Sequence, residues 1–299
     1  MIGFSNLERA KKDKIVKSVN NTLKFTFLSI VMFLMYFPIL IIIVQSFNSN
    51  GQGNDFGGFT FRWYGEMFND SGLMSALAVT ISISIISTII ATVLGTLFAI
   101  GINSLNSKRR KQMIMINNIP VLNADVVTGV SLFFIFKIIG IIIGNEFILG
   151  YPTMLIAHIF FSIPYVVLSV LPKLNEIDKN LYDAALDLGC RPREALRKVI
   201  VPSIATGIMT GALLAFTMSF DDFVISYMVA GEEIKNFSMW IYANQKLSGR
   251  SLVWPKGYAY NSIITIITLL GLIMYNIFAS RKSKLRERKN KIEKNNNFI

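Results

Sequence analysis

Apolar residues in this chain come in long runs rather than in alternation, and polar residues gather between the runs. A helix that crosses a bilayer needs about 20 predominantly apolar residues. Six segments meet that length: Phe25–Gln45, Leu73–Ile102, Met113–Ile143, Tyr151–Leu171, Ile204–Ala230 and Ala259–Ala279. The third is long and polar near its start. The pattern predicts an all-α polytopic membrane protein with six spans. Pro38 and Pro164 are expected to kink spans one and four. The first run is too long for a cleaved signal peptide and no small-x-small pattern follows it, so it reads as a retained signal anchor.

Composition agrees with this picture. Of 299 residues, 53% are hydrophobic and only 16% charged, yet the net charge is +12. A soluble domain is roughly 25% charged. A disordered polycation is excluded by the apolar excess. A soluble nucleic-acid binder is disfavoured, because its bases would sit on a polar surface. The single cysteine, Cys190, leaves no intramolecular disulfide framework and no multi-cysteine zinc site.

The bases are placed unevenly. With six spans, residues 1–24, 103–112, 172–203 and the tail after 279 share one side and hold 24 of the 30 bases, whereas the opposite loops hold 5. Cytoplasmic loops carry the excess of Lys and Arg. Both termini are therefore expected in the cytoplasm, with the bilayer as the chain's main surround. The run Lys108-Arg109-Arg110-Lys111 is explained by that rule and calls for no nucleic acid. Divided this way, the cytoplasmic parts carry +15, the external parts −1 and the spans −2. The raw total suggested an anionic partner, but the surfaces a substrate would meet are neutral to acidic. Residues 1–24 and 281–299 read as basic cytoplasmic ends of a 25–280 membrane domain. The basic, Asn-rich tail is expected along the anionic leaflet or disordered.

The longest cytoplasmic loop, 178–202, reads as two short helices. Asp178 can N-cap the first. Leu181, Ala184, Ala185 and Leu188 recur at helical spacing. Gly189 suits a left-handed C-terminal cap, Pro192 suits the first position of the next helix, and Pro202 is expected to end it. On periodicity alone, a plain amphipathic connector on the membrane surface fits as well.

The order of residues adds to that. Asp183-Ala184-Ala185, three residues, Gly189, nine residues, then Val199, Val201 and Pro202 resembles the Glu-Ala-Ala loop of ABC importer permeases of the MetI-like type. The departures are Asp183 for Glu and Val at the Ile and Leu positions. Further stretches are similar to spermidine/putrescine permease subunits. These are Phe59-Thr-Phe-Arg-Trp63-Tyr64, Asn123-Ala-Asp125-Val-Val, His158 through Pro164, and Leu214 through Ser226 with Asp221-Asp222. The resemblance implies a type I importer fold, a second permease subunit, two ATPase subunits and an extracytoplasmic substrate-binding protein. It also implies ATPase coupling through Asp183, Ala184, Ala185, Gly189 and Pro202. No Gly-x4-Gly-Lys-Ser/Thr loop occurs, so ATP and Mg would be held on a partner chain and this chain would carry no catalytic residue, cofactor or metal.

Asp125, Asp221 and Asp222 fall in or beside spans, where a charge costs about 2.5–3.5 kcal/mol on insertion scales. Each is a candidate counter-charge for a polyamine, and Tyr227 and Trp240 are candidates for cation–π contacts. Structural readings stand beside these. Asp125, following Pro120 and Asn123, also reads as the cap of a broken helix. Adjacent acids point about 100° apart, so one of the pair could face substrate while the other pairs with Lys137. His158, the only histidine, reads as a hydrogen-bonded structural residue. A different small cation, an amino acid or an aminoalkyl phosphonate remains an alternative cargo. An ion-coupled secondary transporter and a membrane aspartyl protease are more distant ones.

Overall fold

The computed structural model describes residues 2–51, 55–144, 149–178, 180–247, 255–270, 273, 274 and 277, with side chains from residue 20 onward except 245–247. Among these residues there is no strand; regular structure is helical. The elements are α1 (Ile2–Ser46), α2 (Arg62–Asn69), α3 (Ser71–Asn103), α4 (Ser107–Leu122), α5 (Asp125–Ile143), α6 (Tyr151–Glu176) and α7 (Leu181–Asp187). They continue with α8 (Pro192–Ala195), a π segment (Leu196–Ile200), α9 (Val201–Ser203), α10 (Ala205–Phe220), α11 (Val224–Val229), α12 (Phe237–Leu247) and α13 (255–270).

Among the described residues, four helical stretches are long and apolar enough to cross a membrane: Asn20–Ser46, α3, α5 and α6. A fifth is a bent pair, Pro192–Ser203 with α10, turned by 73°. Part of the expected sixth span, and the whole basic tail 281–299, lie outside the described residues. The chain divides into two compact units, residues 1–69 with 250–299, and residues 70–249.

Two expected spans are broken. The third is two helices, because Asn123 and Ala124 adopt extended backbone between α4 and α5. Pro120 has already removed a backbone donor near the end of α4. The fifth stops at Phe220 and restarts at Val224, with the acid pair in the gap. Hydropathy runs through both gaps, so a window average cannot see them. Pro38 and Pro164 sit inside uninterrupted helices.

Pro202 does not end its helix, as expected, but lies within α9. The π segment just before it explains how. A proline ring clashes with the carbonyl four residues back, and a wider turn relieves that clash. The break falls instead at Ile204, where the chain bends into α10.

In the first unit, Trp63 is buried and its Nε1 donates to the Asn48 carbonyl at 2.7 Å. The Asn48 side-chain oxygen accepts from the backbone of Asn50 and Gly57. Phe47, Phe59, Phe61 and Tyr64 stack around this loop at ring separations of 4.9–6.0 Å. The Phe59–Tyr64 stretch is thus a folded platform. Tyr64 continues it by donating to Ser262 on α13 at 3.3 Å.

In the second unit, α3, α6 and α10 pack through small residues. Gly207, Gly211, Ala215 and Ser219 recur every fourth position on the buried face of α10. Such spacing lets helix backbones approach closely. Val166 of α6 is the meeting point: a Cβ added at Gly95 would lie 2.7 Å from the Val166 Cβ, and one at Gly211 would lie 3.0 Å from its Cα. Gly95→Leu and Gly211→Leu are each expected to cost about 1–3 kcal/mol by overpacking. Gly101→Leu, where nothing lies within 4 Å, should leave thermal melting of the solubilised protein at the wild-type value.

Candidate functional sites: a surface loop and a broken helix

The 178–202 loop is built from local signals. The Asp178 side chain accepts from the Asn180 backbone N–H at 2.9 Å, making a turn ahead of α7. It does not cap the helix, whose N-cap is Asn180. The C-terminal end is a Schellman motif. Cys190 N–H donates to Ala185 and Gly189 N–H to Leu186, at 3.1 and 2.8 Å. Gly189 has φ +87°, the left-handed value that glycine adopts without a Cβ penalty. Pro192 opens α8, as expected. The Glu194 carboxylate accepts from the Arg191 backbone N–H at 3.2 Å, one half of a capping box.

The expected apolar face of α7 is split. Ala185 is buried, with Leu181 and Tyr182 packed against the cluster of Ile102, Val170, Leu174, Ile200 and Ile204. Asp183 and Ala184 are exposed, as is Gly189. Leu188 is 86% exposed beside them. One row of α7 therefore grips this chain and the neighbouring row faces outward. Leu188 is missing from the coupling residues expected above. Its signal was present, as a large apolar side chain directly before a helix-ending glycine.

The second constellation surrounds the break in the fifth span. The Asp222 carboxylate accepts from the Ile225 and Ser226 backbone N–H groups at 3.3 and 2.7 Å and from Ser226 Oγ at 2.7 Å. Asp222 thus satisfies donors that every helix start leaves open. His158 links this cap to other helices. Its Nε2 is 2.9 Å from Ser226 Oγ, its Nδ1 is 2.7 Å from Ser219 Oγ, and Ser219 is 2.9 Å from Ser87 Oγ on α3.

The donors can be assigned by counting hydrogens, since a hydroxyl has one. Ser226 spends its hydrogen on Asp222, so His158 Nε2 donates to Ser226. A neutral imidazole then accepts at Nδ1 from Ser219, whose Oγ lies 2.9 Å from Ser87 Oγ, and the Ser87 hydroxyl also has the Ser84 carbonyl as an acceptor at 3.3 Å. The chain runs Ser87, Ser219, His158, Ser226, Asp222 and ends on a carboxylate. Asn236 closes it by donating to the Asp222 carbonyl at 2.7 Å and to Ser226 Oγ at 3.0 Å. Phe237 N–H donates to Thr80 Oγ1 on α3 at 2.9 Å. His158 is 1% exposed and the Asp222 side chain 8%. The network ties α3, α6, α10 and α12 to the start of α11.

The expected substrate-path residues are not all in one place. Asp221 is the C-cap of α10 and is exposed, so the two adjacent acids have different surroundings. Asp222 is engaged by its own helix rather than by Lys137, whose Nζ lies 6.0 Å from the Phe133 ring centroid. Asp125 is exposed in the first turn of α5, while the cap position is Ala124. Tyr227 is exposed and joins Phe223 and Tyr242 in a ring cluster with centroids 5.1–5.7 Å apart. Trp240 stands elsewhere. It is buried on α12 and borders a cavity of about 420 Å³ with Gly72, Glu232, Glu233 and Lys235. Sequence reasoning found His158 but missed Ser87, Ser219, Ser226 and Asn236. Ser226, four residues after Asp222, was the readable signal.

Comparison with known proteins places these features in context. Residues 93–284 match the family described as binding-protein-dependent transport system inner membrane component. The chain is 31% identical over 261 residues to the spermidine/putrescine transport system permease protein PotC of Haemophilus influenzae, covering 87% of this chain and 97% of that one. It is 30% identical over 256 residues to the putrescine transport system permease protein PotI of Escherichia coli K12, covering 85% and 90%. Among solved structures, a bacterial ABC transporter that imports the polysaccharide alginate superposes with TM-score 0.66 at 15% identity, covering 86% of this chain and 96% of that one. That likeness establishes a shared fold.

Proposed function

The chain belongs to the binding-protein-dependent transport system inner membrane components, and from that premise we propose that it is the permease subunit of an ATP-driven importer of polyamines. The observation that carries the cargo class is the identity of about 30% along nearly the whole length to relatives named for spermidine and putrescine. The chemistry supports it. Asp221 offers an exposed carboxylate at the broken span, and the cluster of Phe223, Tyr227 and Tyr242, which begins two residues later, offers aromatic faces. A flexible polycation is attracted by both. Asp125 is a further exposed acid for the path, whereas Asp222 serves as the helix cap.

In this reading both termini are cytoplasmic, and a binding protein delivers cargo on the opposite face. A second permease subunit completes the pore. Two ATPase subunits dock on Ala184, Leu188 and the turn at Gly189, and hold the ATP and Mg. Force passes from α7 through Leu181 and Tyr182 into the cluster containing Ile200 and Ile204. From there it reaches the bend before α10, and α10 carries it to the break at 221–223. Competition uptake in cells tests the cargo. Unlabelled spermidine or putrescine is expected to suppress labelled spermidine entry, while an equal concentration of a neutral amino acid leaves it unchanged. Suppression by the amino acid alone would refute the polyamine assignment.

A further inference from the structure

The four bases at 108–111 and the groove beside them have no part in the transport path above. From Met113 to Pro120, α4 forms with α3 and α6 a groove of about 430 Å³. Its walls include Phe98, Ile102, Met113, Ile116, Phe160 and Ile163, and Asn117 is the one polar residue among those that line it. Helical register puts a base on the same face. Arg109 precedes Met113 by four residues and Ile116 by seven, so the three stand in one row, with Arg109 about 6 Å beyond the groove's near end. Lys108, Arg109 and Lys111 are exposed. Arg110 donates to the Asn175 side chain near the end of α6 and ties α4 to α6 at this mouth.

Uneven base placement accounts for positive charge on this side of the membrane. It does not account for a base in line with an apolar slot. We propose that the groove seats an anionic phospholipid of the inner leaflet, with its phosphate on Arg109 and the adjoining Lys108 and an acyl chain along Met113 and Ile116. Basic pockets between spans on the cytoplasmic side suit such headgroups. A soluble phosphate would leave the apolar walls uncovered. The slot lies where the third span is broken, so its occupant would bear on how α4 closes against α3 and α6.

The test uses the full chain in its assembled transporter, in nanodiscs of mixed phosphatidylglycerol and phosphatidylcholine. Lipids retained on gentle extraction are counted by native mass spectrometry. Phosphatidylglycerol is expected to be enriched, and Lys108→Ala and Arg109→Ala should each lower its retention about fivefold. Ile116→Trp, which fills the groove without touching the bases, should lower retention as well. A photoreactive side chain at Ile116 is expected to label lipid. Equal retention of both lipids, no effect of any variant, displacement by inorganic phosphate, or cross-linking to a protein segment would each overturn the proposal.

Discussion

Deletion of residues 184–189 is expected to abolish ATP-coupled uptake while the protein still inserts in the membrane. The segment carries the exposed row of α7 and its C-terminal turn. Deletion also removes Ala185, which is buried against this chain, so a finer variant is needed. Leu188→Glu supplies it. Leu188 is 86% exposed, and substitutions at such positions usually shift stability by no more than about 0.5 kcal/mol. Burying a leucine side chain in a partner's pocket contributes about 2 kcal/mol, which is roughly thirtyfold in affinity. Leu188→Glu should therefore co-purify with far less ATPase at unchanged expression and melting temperature. Normal ATPase recovery with this variant would remove Leu188 from the docking surface.

The second large effect separates the two acids. Asp222→Leu is expected to destabilise the protein by about 3 kcal/mol, because breaking a buried hydrogen-bonded charge leaves its partners unsatisfied. Two backbone N–H groups and Ser226 Oγ lose their acceptor. Asp222→Asn keeps an acceptor oxygen for the Ile225 and Ser226 N–H groups, so most of the folded yield should return. Asp221→Asn should leave folded yield untouched and instead raise the KM for polyamine uptake. His158→Phe keeps an aromatic ring but cuts the chain between Ser219 and Ser226. It should follow Asp222→Leu in yield and not Asp221→Asn in KM. If Asp221→Asn and Asp222→Asn both left uptake unchanged at normal expression, the acid pair would have no role in transport.

How much of this was legible in the sequence depends on the range of the forces involved. The middle of the 178–202 loop was readable because its stops at Gly189 and Pro192 are chemically local. Gly189 supplies a positive φ and Pro192 a preset first helical residue, and both stand where the residue order places them. The start of α3 has a local signal of the same kind, Asp70 accepting from the Leu73 N–H, which the apolar run alone does not pick out. Breaks inside spans were harder to read. Pro120, Asn123 and Asp125 allowed a broken third span only as an alternative, and Asp221-Asp222 sits in apolar company with part of its support far along the chain. The Asp222 cap depends on Ser226, His158 and Asn236 arriving together, and His158 is 64 residues away in sequence. Adjacency suggested that both acids share one role. Only tertiary packing shows that one is enclosed and the other exposed. Pro202 misled for a related reason, since a proline reads as a stop unless a π turn makes room for it.

Reconstitution tests the central claim most directly. The full assembly of this chain, its partner permease and the ATPase pair is placed in proteoliposomes with the binding protein outside. Labelled spermidine should accumulate when ATP and Mg are supplied inside, and should not accumulate with ADP or under an ion gradient alone. Accumulation driven by an ion gradient without ATP, or by this chain without an ATPase partner, would contradict the account.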